Sequence, residues 1–483
     1  MWVQVALLLG LHVPCFVGTT PVRTTELFSA GDGSCAAFRI PALVAIGGNT
    51  LLAFAECRKW TCKDYGRHDL VMRRSTDGGR TFLGLQTLLE PNSHWPDCNQ
   101  TELPGVPNDS EGGTCFGGCA VWDPTAVADN RTGAVWVFFG RSTSSCPMSR
   151  QGGHRVDLWA LKSTDAGISF SPPQNMTAVC STPYGGGVTG SGGHGVQLRD
   201  SGELMVPLYG CGPDGGQGLC VSADMGATWH AAAGTTSPTT GANGRISTGA
   251  EGEIVELFGR TATRGARLMY DTRPVGDARC TSNKSDYDVN HQCRLTFTSD
   301  DLGRSYSNGT YHPEMPDPSC KGGIVRWDRP SRGNSSSNSG ALFAVGAASS
   351  AAAGGVRTNA TLSWSTDDGV SFPGRLQLDP SGGYATIQIT GGGMVAALFE
   401  APLLGGYSCW APCGKAGNAT NNGTNCCTMS HYYQPAGCPL GPDGRTTLPN
   451  CTWLLDCSCN PVSCGIKLAL VDPLRLLPST AAL

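Results

Sequence analysis

The sequence predicts an all-β chain folded as a six-bladed β-propeller, and three observations carry that prediction. An octapeptide recurs five times: STDGGRTF from Ser75, STDAGISF from Ser163, SADMGATW from Ser222, SDDLGRSY from Ser299 and STDDGVSF from Ser365. A strand-like run precedes each copy: DLVMRR, DLWALK, GLCV, CRLTFT and ATLSW. Only 15% of the 483 residues are charged and 67 are glycine, less charge and more glycine than ordinary soluble domains carry. That balance suits many short strands joined by tight turns.

Every copy reads Ser-x-Asp-x-Gly-x-Thr/Ser-aromatic. The aspartate can accept backbone N–H groups across a turn, the glycine can take positive φ, and the aromatic ring re-enters the core. The motif is therefore a structural staple on a hairpin, with no catalytic role. Five copies plus the two untagged chain ends make six units of four strands. A β-solenoid would need shorter and more regular rungs. A propeller gathers loops from every blade at one end of its axis, so residues far apart in sequence can share one pocket.

The chain ends set the compartment. Residues 1–19 form a short apolar run ending in small residues, read as a signal peptide. His12 and Pro14 interrupt the run, which is short for a membrane span, so no stable membrane anchor is expected. Removing Cys15 leaves 22 of the 23 cysteines, an even number that suits a disulfide-bonded protein. Eleven Asn-x-Ser/Thr sequons run from Asn99 to Asn450. Together these predict an N-glycosylated protein that is secreted or held in the secretory-pathway lumen, extracellular or lysosome-like. The alternative is a cytosolic protein with metal-binding cysteines, but the spacings form no paired CxxC knuckles. No metal and no cofactor are expected, and a net charge of −4 gives no footprint for nucleic acid. Residues 20–483 are read as one propeller. A cysteine-dense stretch at about 403–463 is an insertion before the closing strand in GIKLALVDPLRLL, which should pair with the N-terminal blade. A separate small cysteine-rich domain is the alternative.

The run AAFRIPALVA at 36–45 places Arg39 in an apolar strand. Burying an unpaired cation is costly, so Arg39 requires an anionic partner or an anionic ligand.

FRIPAL at 38–43 together with the five boxes resembles the exo-α-sialidases (neuraminidases), over about 30–402 plus the last strand. That resemblance implies a sialidase-like propeller in which three arginines clamp the carboxylate that sialic acid carries on its anomeric carbon. Arg39 is the first. GAEGEIVEL at 249–257 resembles the segment leading to the second, Arg273, although Ala250 replaces the usual asparagine. Arg264 and Arg267 are rivals. Arg357, eight residues before the Ser365 box, is the third.

A carboxylate nucleophile would be repelled by the carboxylate at the reacting centre. A phenol avoids this but, with a pKa near 10, needs a base. GGYATIQITGGGMVAALFE at 382–400 resembles the family's tyrosine strand and the strand after it. The resemblance implies Tyr384 as nucleophile and Glu251 as its base, with Tyr407 as a rival tyrosine. LLAFAECRKWTCKDYG at 51–66 resembles the segment carrying the general acid. It implies Asp64 for that role, Asp69 being the rival, with a Cys57–Cys62 bridge to pin the loop. Arg58 is then expected to line the pocket, the alternative being a surface salt bridge with Glu56. Asp123 in VWDPTAV is expected at the pocket wall, or else as a turn cap. His194 and Gln197 are rim candidates, Trp60 and Trp122 are candidate sugar contacts, and Glu400 should pair with Arg39 from beneath. The implied function is retaining hydrolysis of terminal α-linked sialic acids from sialylated glycans through a tyrosyl-enzyme intermediate. Transfer to another sugar, intramolecular transfer giving an anhydro product, and a catalytically inert sialic-acid lectin are the alternatives.

Overall fold

The computed structural model describes residues 22, 24–59, 67–98, 106–107, 114–115, 119–142, 156–180, 187–211, 217–232, 251–261, 265–273, 293–330, 340–349, 357–401 and 465–477. The signal segment, Asp64 with Trp60 and Cys62, Arg264, Tyr407 and the cysteine-rich stretch lie outside the described residues.

The described chain is an all-β propeller. Four blades stand as separate sheets, against the six expected. One joins Thr24–Phe28, Gly465–Val471, Val395–Ala401 and Ala385–Ile389. A second is built on Leu204–Cys211, which Gly187–Gly190 and Val196–Gln197 flank on one side and Gln217–Ser222 on the other, with His230–Ala231 outermost. A third runs Gly252–Thr261, Gly265–Thr272, Cys293–Ser299 and Thr310–Pro316. The fourth runs Gly323–Asp328, Gly340–Ala347, Thr358–Ser365 and Gly374–Ser381.

Nine of the remaining strands form one sheet, and Val106–Pro107 pairs with Thr114–Cys115 apart from it. The nine-stranded sheet contains two antiparallel runs, Ala37–Ile46 to Gln86–Leu89 and Ala120–Asp129 to Gln174–Asn175. A single parallel pairing of His68 with Ala120 fuses them. The count falls short of six separate blades because of this backbone contact, which no side-chain pattern encodes. Gly193–His194 adds to the same sheet, parallel to Ala120–Asp129.

The ring closes between the chain ends. Gly465–Val471 pairs antiparallel with Thr24–Phe28 on one edge and with Val395–Ala401 on the other. Apolar side chains fill the space between neighbouring units: Phe28, Phe38 and Leu51 meet Leu398 and Ile466, all fully buried. Burial of such faces is the main stabilising term, since each large apolar side chain contributes about 1.5–3 kcal/mol.

The repeated octapeptide staples one unit to the next. In the first copy Ser75 Oγ accepts the Gly79 N–H at 2.9 Å, and Asp77 accepts both the N–H and the hydroxyl of Thr81 at 2.9 and 2.6 Å. The other four copies repeat the serine contact at 2.7–2.8 Å. The glycine has two reasons to be there. Gly226 has φ +81°, and a Cβ on it would run into the Trp136 indole of the preceding unit. Hydrogen bonds from Thr81, Ser169 and Thr228 hold the carboxyls of Asp77, Asp165 and Asp224 at about 2.

A depressed folded pKa contributes stability that is present above the unfolded value, about 3.9, and is lost as pH falls through the folded one. Carboxyl NMR titration is expected to give midpoints near 2 for these three groups, with the box contribution to stability fading between about pH 4 and pH 2. Midpoints near 4 would show that the hydrogen bonds are not maintained in solution.

Candidate active site

Two bulges of one kind bend the chain at the same end of the axis. The pairing of Ala37–Ile46 with Thr50–Arg58 shifts register between Arg39 and Ala42, and that of Ala120–Asp129 with Ala134–Ser142 shifts between Trp122 and Thr125. Each bulge holds a non-glycine residue at positive φ just before a proline: Ile40 at 54° and Asp123 at 49°. Proline disfavours the right-handed helical region for the residue before it, and positive φ on a β-branched isoleucine is strained.

A carboxylate caught under each bulge offsets that strain. Ile40 N–H donates to Glu400 Oε1 at 3.0 Å, and Asp123 N–H donates to Glu56 Oε1 at 3.0 Å. Each carboxylate also takes an arginine. Arg39 Nε donates to Glu400 Oε1 at 3.0 Å, and Arg58 Nη2 donates to Glu56 Oε2 at 2.7 Å. The Arg39 side chain is only 2% exposed, so Glu400 supplies the anion that its burial demands. The Arg58–Glu56 pair is likewise buried rather than at the surface. Burial pushes the Glu56 carboxyl up, against the pull of Arg58.

Tyr384 stands beside the Glu400–Arg39 pair. It immediately precedes Ala385–Ile389, and its backbone is held on both sides: its N–H donates to Glu400 Oε2 at 3.2 Å, and its carbonyl accepts the Glu400 N–H at 2.9 Å. Its hydroxyl donates to Glu251 Oε2 at 2.6 Å and accepts from Arg273 Nη1 at 2.5 Å. Arg273 Nη1 also donates to Glu251 Oε2 at 2.5 Å. Three guanidinium carbons surround the ring, with Arg357 at 4.8, Arg39 at 5.2 and Arg273 at 5.9 Å from its centroid. Arg357 is further fixed by donating to the Ser319 carbonyl at 3.1 Å. Burial holds the Tyr384 phenol well above its ordinary value, although Arg273 pulls it down. The hydroxyl is thus a buried neutral group touching a carboxylate inside a cluster of cations.

The structure brings Arg39, Arg273, Arg357, Glu251, Tyr384 and Glu400 together, and separates several rivals from them. Arg267 donates to Asp300 at 2.7 Å on the outside of its sheet. Asp69 is fully buried against Lys59 at 2.7 Å and Arg67 at 3.3 Å. His194 is buried with Nε2 2.9 Å from Glu253 rather than standing at a rim. Gln197 binds Asp129 and the Asn130 N–H. Trp122 Nε1 donates to Ser142 Oγ at 2.9 Å.

The Cys57–Cys62 expectation is corrected, because Cys57 bonds Cys35. Antiparallel pairing sets Phe38 opposite Cys57, and Ala36 N–H donates to the Arg58 carbonyl at 2.8 Å. The two cysteine Cα atoms are therefore 5.2 Å apart, the spacing a disulfide needs. Among the described residues Cys98–Cys119 and Cys180–Cys220 are also bonded. Cys320 remains a free thiol, packed with Ile40, Ala347 and Tyr384, and burial pushes it up to about 12.

Two groups beneath the site escape motif reading. Arg294 donates to both oxygens of Asp271 at 2.7 and 2.9 Å, to Asp317 at 2.5 Å and to the Cys320 carbonyl at 2.7 Å. Glu253 faces Lys321 at 2.6 Å. The available signal was alternation: Glu251-x-Glu253 and Asp271-x-Arg273 put charges on one side of a strand. A cavity of about 370 Å³, lined by residues such as Gly47, Asn130, Gln197, Arg326 and Gly391, lies away from this chemistry.

Residues 40–217 match the BNR repeat-like domain. The chain is 32% identical over 187 residues to a sialidase of Bacteroides fragilis, covering 37% of this chain and 31% of that protein. It is 27% identical over 376 residues to a sialidase of Micromonospora viridifaciens, covering 75% and 50%. The chain thus spans from about a third to half of the length of these two relatives. Among solved structures, an intramolecular trans-sialidase from Ruminococcus gnavus superposes with a TM-score of 0.58 at 16% identity, covering 78% of this chain and 92% of that one. At such identity the likeness concerns the fold. No helix among the described residues is long and apolar enough to cross a membrane. In its repeats, its sequence relatives and its fold, the chain is similar to sialidases over part of their length.

Proposed function

We propose that the protein is a retaining exo-α-sialidase that removes terminal α-linked sialic acid from sialylated glycans. The observation that carries this reading is the 2.6 Å contact of Tyr384 with Glu251 inside the arginine cluster. Arg39, Arg273 and Arg357 clamp the substrate carboxylate. Tyr384 Oη bonds to the anomeric carbon as the glycosidic bond breaks, passing its proton to Glu251. Asp64, on the segment after Arg58, protonates the departing oxygen. Asp64 then takes a proton from the water that attacks the anomeric carbon, and Tyr384 leaves with its proton returned by Glu251. Arg58 and Asp123 border the sugar. The developing phenolate is stabilised by cations already in place, so little reorganisation is needed in the transition state.

The signal segment, the sequons and the disulfides support a secreted, N-glycosylated enzyme. Purified protein is expected to release sialic acid from a fluorogenic α-sialoside, with the α-anomer appearing first by ¹H NMR. The β-anomer appearing first would rule out the retaining mechanism. An anhydro product would identify intramolecular transfer, and binding without turnover would identify a lectin.

A further inference from the structure

We propose that Glu253 and Lys321 are a positioning pair that sets Tyr384 against Glu251, an inference that rests on the function proposed above. Glu253 is the second residue after Glu251 on the same chain segment, and it is fully buried. Its Oε1 meets Lys321 Nζ at 2.6 Å, and its Oε2 accepts the Ile324 N–H at 3.0 Å and faces His194 Nε2 at 2.9 Å. Lys321 is 1% exposed. Its Nζ donates to the Ala385 carbonyl at 2.8 Å, and its own carbonyl accepts the Ala385 N–H at 3.1 Å.

Ala385 is the residue after Tyr384. Lys321 therefore grips the peptide on one side of the nucleophile while Glu400 grips the other. Through Glu253 the grip continues to the segment that carries Glu251. The network joins four stretches of chain around the axis, those of His194, Glu253, Lys321 and Ala385. Arg273 bridges the phenol and the carboxylate directly, and the Glu253–Lys321 pair holds the backbones that present them. Gly193 shows how closely the pair is fitted. It has φ +86°, and a Cβ there would overlap both Glu253 Oε1 and Lys321 Nζ.

Buried ion pairs often add little net stability compared with neutral groups of the same shape, whereas removing one partner leaves a charge stranded. The test therefore removes both charges. The double variant Glu253→Gln/Lys321→Met is expected to fold, with kcat on an α-sialoside reduced on the order of 10- to 100-fold and KM within about threefold, since small misplacements of reacting groups have effects of that size. Its crystal structure should show the Tyr384–Glu251 hydrogen bond broken or lengthened. Gly193→Ala, which leaves every charge in place, should lower kcat in the same way, and it serves if the double variant does not fold.

A folded variant with wild-type kcat and an unchanged Tyr384–Glu251 contact would overturn the pairing role. Absence of turnover in the wild-type protein would instead sink the proposed function. In that case the Tyr384–Glu251 contact in the variant structures still decides the positioning role.

Discussion

Tyr384→Phe is expected to lower kcat on an α-sialoside on the order of 10³-fold or more, the scale seen when a nucleophile is deleted. Binding should survive within a few-fold, because the hydroxyl is not part of the clamp and the three arginines remain. Stability should change by only about 1 kcal/mol, the usual net worth of one hydrogen bond. Glu251 keeps its contact with Arg273 when the hydroxyl is gone, so no buried carboxylate is left alone. The large loss of rate with small changes in binding and folding separates a chemical role from a structural one. Full activity in this variant would remove Tyr384 from the mechanism.

The largest expected effect on stability lies one layer beneath. Arg294 is 4% exposed and donates to Asp271, Asp317 and the Cys320 carbonyl. Arg294→Met would leave two buried carboxylates without their cation, a change that typically costs about 3–5 kcal/mol. Burial already pushes Asp317 up in the intact protein, with Arg294 pulling against it. Without the arginine, Asp317 should bind a proton more readily folded than unfolded. Groups of that kind favour folding at low pH and lose the contribution as pH rises. Urea unfolding should therefore show the variant's deficit largest near pH 7.5 and smaller near pH 5. A deficit below about 1 kcal/mol at pH 7.5 would place this cluster among exposed ion pairs in its effect. Asp271 lies two residues before Arg273 and Cys320 packs against Tyr384, so activity should fall together with stability.

What could be read from the sequence follows from how locally each feature is encoded. The box motif is local: serine, aspartate and glycine satisfy one another within five residues, so all five copies fold alike. Arg39 was legible because a guanidinium in an apolar strand demands an anion, and Glu400 meets that demand across 361 positions. Tyr384, Glu251 and Arg273 were found by separate matches to one family, and they converge on a single oxygen. The Glu253–Lys321 pair spans 68 positions, and nothing around Lys321 in SCKGG distinguishes it from a surface lysine. The Cys35–Cys57 bond escaped because strand register, not proximity in sequence, brings the two together. The fusion of two units into one sheet depends on the His68–Ala120 backbone pairing alone.

The central claim is that Tyr384 becomes covalently attached to the sugar, and covalent trapping tests it most directly. The protein would be incubated with a fluorinated sialosyl fluoride, which forms the intermediate quickly and releases it slowly, then digested and mapped by mass spectrometry. The mechanism predicts one sugar on the peptide containing Tyr384, absent from Tyr384→Phe. A sugar on Glu251 or any other side chain, in protein that turns over the ordinary substrate, would contradict it.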